Sequence, residues 1–302
     1  MNQIKINVSN SNIELFKKNE DYIITLSMFL KNGTYGYVFT TNYDIYCIKI
    51  ICLNPHHDNR NELVDYEETD AIDKIITSKQ SFEVVNSEYC YGKICYYNGE
   101  IDVKSSIIIN VNKSDNRVTR NSYIENKKKM TKFIVYEENY VIIMPYYFEF
   151  TQVNMKIEDI CKKIIKAVDE LLSIDLINID LKKGNFMVDI NNNIKMIDMG
   201  MMRDKNKMND IFREDNTLYY IWPIHKNMTH KQLLSYMIAI FMIELKYPHN
   251  VYEIKNDYNY ISLILKKFCD LDEISYIFRE IIRTVITNGL DYDVFSRMIS
   301  FI

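Results

Sequence analysis

Asp180-Leu181-Lys182-Lys183-Gly184-Asn185, followed by Asp198-Met199-Gly200, is the stretch on which the reading of this chain turns. Asn185 stands five positions after Asp180, and Asp198 thirteen after Asn185, across an alternating apolar run that reads as a β-hairpin. Three side chains that handle protons and metal ions therefore fall on loops around a small strand pair. One Asp can orient a hydroxyl and take its proton, while an Asn and a second Asp can hold the metals that neutralise phosphates. That donor set is the one metal-assisted phosphoryl transfer needs.

Working outward, the N-terminal third carries a glycine turn, Lys31-Asn32-Gly33-Thr34-Tyr35-Gly36-Tyr37-Val38, and then an apolar strand with one cation, Tyr46-Cys47-Ile48-Lys49. Gly33 and Gly36 let backbone N–H groups approach a phosphate, because no Cβ blocks the way. Two glycines in a hairpin are by themselves most often a turn, and a lone strand lysine is most often a snorkelling surface residue. Order and spacing along the chain make the combined signal strong. Only 7 Gly and 4 Pro occur in 302 residues, and Gly33, Gly36, Gly184, Gly200, Pro145 and Pro223 all lie within these motifs.

These motifs resemble those of the eukaryotic-type protein kinases, whose catalytic and metal loops read H-R-D-L-x-x-x-N and D-F-G. The first is here Asn178-Ile179-Asp180-Leu181-Lys182-Lys183-Gly184-Asn185, and the second Asp-Met-Gly. Ala167 to Ser173 matches the apolar helix that precedes the catalytic loop. Gly33, Gly36 and Val38 match G-x-G-x-x-G-x-V, and Tyr46 to Lys49 stands where the family has V-A-I-K. In size and in its richness in Ile, Asn, Lys and Tyr, the chain resembles divergent kinases of large DNA viruses.

The resemblance implies an α+β fold with two lobes in one catalytic domain: a β-rich N-lobe with one main helix (1–146) and a mostly helical C-lobe (147–302). It implies ATP and Mg²⁺, or Mn²⁺ in its place, as cofactors, and protein Ser/Thr hydroxyls as acceptors. Asp198 and Asn185 would hold the metal, and Lys49 would fix the α- and β-phosphates while oriented by Glu68, with Glu67 the alternative. Asp180 would orient the hydroxyl or take its proton, and Lys182 would neutralise the transferring phosphoryl group. Val141 to Tyr147 resembles the hinge segment. Met144 takes the gatekeeper position, the Pro145 carbonyl faces adenine, and Tyr147 offers an N–H. Thr217-Leu218-Tyr219-Tyr220-Ile221-Trp222-Pro223-Ile224 resembles the end of the activation segment, with Thr217 positioned to bond Asp180 and Lys182.

Several positions depart from the pattern. Lys31 replaces the first loop glycine, and Asn178 and Ile179 replace His and Arg. Without that Arg the basic pocket for a phosphorylated activation loop is missing, so activity independent of such phosphorylation is expected. Ile224 replaces a closing Glu whose partner could have been Arg297, and no Asp stands near His230 to start the long central helix. These losses keep a second reading open, a pseudokinase scaffold acting through a partner protein. A third is a small-molecule phosphotransferase on a related fold, against which Lys182 and the Thr217 to Pro223 segment argue.

Composition narrows the class further. With 47% hydrophobic and 26% charged residues the chain is an ordinary globular protein. A formal charge of −4 argues against a general nucleic-acid binder. The six cysteines form no C-x-x-C pair, so neither a zinc site nor a disulfide framework is expected, and a reducing compartment fits. With no signal-peptide run and no membrane-length segment, a cytoplasmic protein is expected (host cytoplasm or virion, if viral). A regulatory partner is left unspecified.

Patterning predicts two or three antiparallel strands over Ile23 to Ile51 and a helix over Asn59 to Lys79 with Ile72, Ile75 and Ile76 on one stripe. Phe82 to Met130 reads as a polar insertion with a strand-like piece at Ile107 to Val111 and a solvated Lys127-Lys128-Lys129 run. Phe133 to Glu137 and Tyr140 to Tyr146 read as a hairpin. Helices are expected at Ile157 to Ser173, Leu233 to Leu245 and from Tyr258 onward.

Overall fold

Ile4, Ile6 and Val8 alternate with Lys5 and Asn7, a period-two pattern that buries one face of the first strand. The structure, a computed structural model, describes residues 2–33, 36–51, 60–96, 99–103, 131–135, 139–150, 155–212, 227–247 and 258–302. The chain divides into two compact units, Met1–Ile76 with Glu88–Tyr146, and Thr77–Ser87 with Tyr147–Ile302.

The first unit contains β1 (Asn2–Ser11), β2 (Asp21–Gly33), β3 (Gly36–Thr41), β4 (Tyr46–Ile51), α1 (Arg60–Ser78, ending past the unit boundary), β5 (Cys90–Tyr96), β6 (Gly99–Val103), β7 (Thr131–Val135) and β8 (Tyr140–Pro145). Six of these strands close an antiparallel barrel in the order β1-β2-β3-β4-β8-β5. Its interior is filled by Ile4, Ile6, Val8, Phe29, Phe39, Ile48, Ile50, Ile94, Val141 and Ile143, all buried. Each such side chain contributes roughly 1.5–3 kcal/mol of transfer free energy. Closure leaves no free edge on either β2 or β5, since β1 pairs with both.

Two glycines are dictated by backbone approach in this barrel. A Cβ on Gly36 would lie 2.5 Å from the Ile50 carbonyl oxygen, and one on Gly92 would lie 2.1 Å from that of Asn7. Gly92 sits beside the irregular β1–β5 register between Val8 and Asn10.

Three expectations change here. β1 was not anticipated. The segment read as an insertion from Phe82 includes β5, a full barrel strand, because Cys90 and Ile94 turn inward while Tyr91 and Lys93 alternate outward. And β7 pairs with β6 in a separate two-stranded sheet, so β7 and β8 are not a hairpin; β8 lies between β4 and β5. The Ile107 to Val111 piece and the Lys127 to Lys129 run lie outside the described residues.

The second unit contains β9 (Phe148–Glu149), α2 (Ile157–Leu172), β10 (Leu176–Asn178), β11 (Phe186–Val188), β12 (Ile194–Met196), β13 (Met202–Asp204), α3 (His230–Lys246), α4 (Tyr258–Cys269), α5 (Tyr276–Asn288) and α6 (Tyr292–Ser300). In α3 every residue from Leu233 to Ile243 is buried, the mark of a helix packed on all sides. α2, α4, α5 and α6 all pack against it. A capping box starts α3: Thr229 Oγ1 accepts from the Gln232 N–H, and the Gln232 side chain accepts from the Thr229 N–H. In the absence of an acidic residue there, His230 docks through its own N–H and Nδ1 on the Asp210 carbonyl.

Thr77–Ser87 is held to this unit by a buried carboxylate. Glu170 of α2 accepts from the N–H groups of Glu83, Val84 and Val85 at 2.7, 3.0 and 2.8 Å. Val84 and Asn86 then hydrogen-bond the backbone of Met196, which extends the β11–β12 hairpin by a parallel bridge. Small sheets, β12-β11-β9 and β10-β13, carry the loops on which the candidate site is built.

Candidate active site

Lys49 is placed by strand alternation. Ile48 and Ile50 fill the barrel, so Lys49 between them faces the other side, opposite Val38 on β3 and Ile142 on β8. On α1, Glu68, Ile72 and Ile75 recur at helical spacing and are all buried. The Lys49 Nζ donates to both Glu68 oxygens, at 2.7 and 2.9 Å, with side chains only 13% and 5% exposed. Glu68 therefore meets Lys49; the side chain of Glu67 lies outside the described residues. A bidentate contact at this depth is a charge-assisted pair with little competition from water.

The other residues expected near a nucleotide in this unit lie on the same strands. Gly33 and Gly36 are opposite each other at the tip of β2–β3, with the two turn residues 34–35 between them outside the described residues. Val38 is half-buried. Met144 is buried on β8 opposite Cys47, whose thiol donates to the Pro145 carbonyl at 3.8 Å. Burial pushes the Cys47 thiol up to about 12, which keeps it a neutral donor. The Tyr146 N–H is taken by the Ile45 carbonyl at 2.8 Å.

The remaining candidates belong to the second unit. Tyr147 is half-buried, and its hydroxyl donates to Asn86 Oδ1 at 2.9 Å. Asp180 follows β10, and a single 3₁₀ turn, Lys183–Asn185, brings Asn185 back to it. The Asn185 Nδ2 donates to the Asp180 carbonyl at 2.8 Å and to Asp180 Oδ2 at 3.0 Å. Lys182 Nζ donates to the same Oδ2 at 2.6 Å. Leu181 is fully buried, so the alternation that sinks it holds Asp180 and Lys182 on the opposite side. Beyond the β11–β12 hairpin, the Ile197 N–H bonds the Asn185 carbonyl at 3.0 Å, and Asp198 Oδ1 accepts the Gly200 N–H at 3.1 Å.

Burial raises the Asp180 pKa, and the negative charge of Asp198 adds to the effect. The Lys182 cation and the Asn185 bond oppose it without cancelling it. A carboxylate held less acidic than usual is a better proton acceptor at a given pH. The structure thus brings Asp180, Lys182, Asn185 and Asp198 into one network, and Lys49 with Glu68 into another. Thr217, with the rest of 213–226, lies outside the described residues.

Sequence reasoning missed several residues that build these networks. Asn178, counted as a departure, accepts the Asp180 N–H on Oδ1 at 2.7 Å and donates through Nδ2 to the Asp198 carbonyl at 3.2 Å. It ties the two loops together, and the Asx-turn habit of Asn two residues before a loop Asp was the available signal. Ile179 is fully buried. Arg297 is exposed on α6 with its Nε on the Asp293 carbonyl within its own helix, whereas Arg279 donates from Nη1 to the carbonyls of Cys269 and Leu271. Glu170 had no signal in the sequence beyond its place in an amphipathic helix.

No family model matches the sequence, and no curated protein matches it either. Among solved structures it is similar to one described as "ROP18 kinase domain in complex with AMP-PNP and sucrose". That likeness covers 99% of this chain and 85% of that one, with 11% identity and a TM-score of 0.58. At such identity the likeness is one of fold, and the chain has a protein-kinase-like fold. No helix among the described residues is long and apolar enough to cross a membrane.

Proposed function

We infer that the chain is an ATP- and Mg²⁺-dependent Ser/Thr protein kinase. The observation that carries this reading is the part-buried Asp180 carboxylate, bonded by Lys182 and Asn185 on a loop that Asn178 ties to Asp198. The kinase-like fold supports it, and the similar solved structure is described as a complex with AMP-PNP.

The donor set suits the metal. Among the described residues no three His, Cys, Asp or Glu side chains form a group that could hold an ion alone. Mg²⁺ asks for less, since it takes one or two protein oxygens and completes its shell with phosphate and water. The Asn185 amide nitrogen faces Asp180, so its oxygen faces the other way, and Asp198 adds a carboxylate on the neighbouring loop. Mn²⁺ suits the same oxygens. When bound, the ion neutralises phosphate charge.

The chain's own groups do the rest. Lys49, oriented by Glu68, holds the α- and β-phosphates. Asp180 orients the acceptor hydroxyl and takes its proton. Lys182 balances charge on the transferring group. Lys182 and Thr217 favour Ser/Thr acceptors. Ile179 puts an apolar side chain next to Asp180 where a phosphorylated loop would need a cation, so phosphatase-treated protein keeps its turnover. Loss of turnover on removal of a Thr217 phosphate would overturn that point.

The test is transfer of labelled γ-phosphate from ATP and Mg²⁺ to a mixed basic-protein substrate, with wild type beside Asp180→Ala and Asp198→Asn. Label on Ser or Thr from wild type, and a drop of about a thousandfold in both variants, is expected. No transfer from wild type, with ATP and Mg²⁺ leaving the melting temperature unchanged, would favour a scaffold that acts through a partner protein.

A further inference from the structure

Asp73 of α1 lies five residues beyond Glu68, on the flank of the helix rather than on its buried stripe. Its two carboxylate oxygens are taken separately. Asn10 Nδ2 donates to Oδ1 at 2.6 Å, and the Tyr91 hydroxyl donates to Oδ2 at 2.7 Å. Asn10 and Tyr91 come from different strands, β1 and β5, and are directly opposite each other in the barrel register. The barrel therefore grips one helical carboxylate from two neighbouring strands.

Each donor is itself fixed. Asn10 Oδ1 accepts the Ser11 N–H at 3.0 Å, which sets its amide so that Nδ2 faces Asp73. Burial, and the bond to Asp73 after it, raise the Tyr91 phenol, so it stays a neutral donor. Beyond Asn10, Asn12 and Tyr89 exchange two bonds, N–H to carbonyl at 3.1 Å and N–H to Oδ1 at 2.8 Å, locking the end of β1 to the start of β5.

We propose that Asp73, gripped by Asn10 and Tyr91, is the positioning residue that sets the rotation and height of α1 so that Glu68 meets Lys49. The path is closed within one unit: β1 and β5 hold Asp73, α1 carries Glu68, Glu68 holds Lys49, and Lys49 returns to β4 of the same barrel. The buried stripe of Ala71, Ile72 and Ile75 holds one face of α1, and two separate donors on Asp73 add an anchor on its flank that resists pivoting better than a single bond would. A rotation by one residue, about 100°, would carry Glu68 off Lys49. The strand β1 gains a role here beyond closing the barrel, because it supplies half of the grip. The inference rests on the kinase reading for the role of the Lys49–Glu68 pair, but not for the grip itself.

Two measurements on the full chain separate these. In amide hydrogen exchange, Tyr91→Phe and Asp73→Asn are expected to speed exchange across α1 about tenfold or more, the usual worth of a bond to a charged acceptor, with β2 to β4 unchanged. Tyr91→Phe removes a single oxygen, so it decides the matter should Asp73→Asn fail to fold. Unchanged exchange in α1 overturns the proposal. In kinetics, Tyr91→Phe is expected to lower kcat/KM for ATP in the wild type and to have no further effect in a Glu68→Gln background. An equal loss in both backgrounds overturns it too, since the residue would then act by another route. A wild type without transfer would defeat the kinase reading alone, and the exchange result would still decide the grip.

Discussion

The chain holds two lysine–carboxylate pairs of similar length, and they are made in opposite ways. Lys182 and Asp180 stand two residues apart on one loop, 2.6 Å between charges, with side chains 29% and 13% exposed. Lys49 and Glu68 stand nineteen residues apart on a strand and a helix, 2.7 Å between charges and 13% and 5% exposed. The first pair is settled by local chain geometry, with Leu181 sunk between the partners. The second exists only if α1 is set correctly against the barrel. The difference teaches that one half of the chemistry is assembled by the loop and the other by packing, so they should fail differently.

The largest expected effect is on stability at the packed pair. Glu68→Ala strands a part-buried lysine and is expected to cost about 3 kcal/mol, read from denaturant unfolding. Lys49→Met with Glu68→Leu should restore most of it, because an apolar pair needs no partner charge. A double variant as unstable as the single one would mean that the helix, and not the ion pair, bears the loss. Next comes Lys182→Met, expected to lower phosphate transfer about a hundredfold, roughly 2.7 kcal/mol, while leaving the melting temperature nearly unchanged. A large fall in melting temperature would show that the loop pair also supports the fold.

The smallest effect sharpens the comparison by pH. Burial raises the Asp180 pKa above its unfolded value, so the folded protein favours the protonated form. The resulting cost is full above the folded pKa and vanishes below the unfolded one. Asp180→Asn, though inactive, should therefore melt slightly higher than wild type near pH 7, and the gap should close as the pH falls into the carboxylate range. A gap that widens with acid would mean that Lys182 and Asn185, not burial, dominate.

Legibility followed the same divide. The loop network could be read because its members are close in sequence: Asp180, Asn185 and Asp198 were placed from spacing, and Lys182 from the loop's resemblance to the kinase motif. Helix α2 was legible from its apolar stripe, as was the β2–β4 meander from its alternation and glycines. β1 escaped because its alternation gives no hint of the two strands it joins. β5 escaped because its small residues, Cys90 and Gly92, mimic a loop. β7 was paired wrongly for a different reason, since proximity in sequence favours a hairpin with β8 while the hydrogen-bonding partner was β6.

The sequence by itself determined the set of chemical groups and the order in which they occur, because periodicity and motif spacing are local properties. It left Glu68 as the choice on its helix, with Glu67 the alternative. Only the tertiary structure decided that β1 closes the barrel, that Glu170 gathers three backbone N–H groups, that Asn178 joins two loops and that Asp73 is gripped by Asn10 and Tyr91. Most of those contacts join residues tens of positions apart, and a polar side chain in a sequence carries no mark of the distant donor or acceptor that burial will oblige it to find.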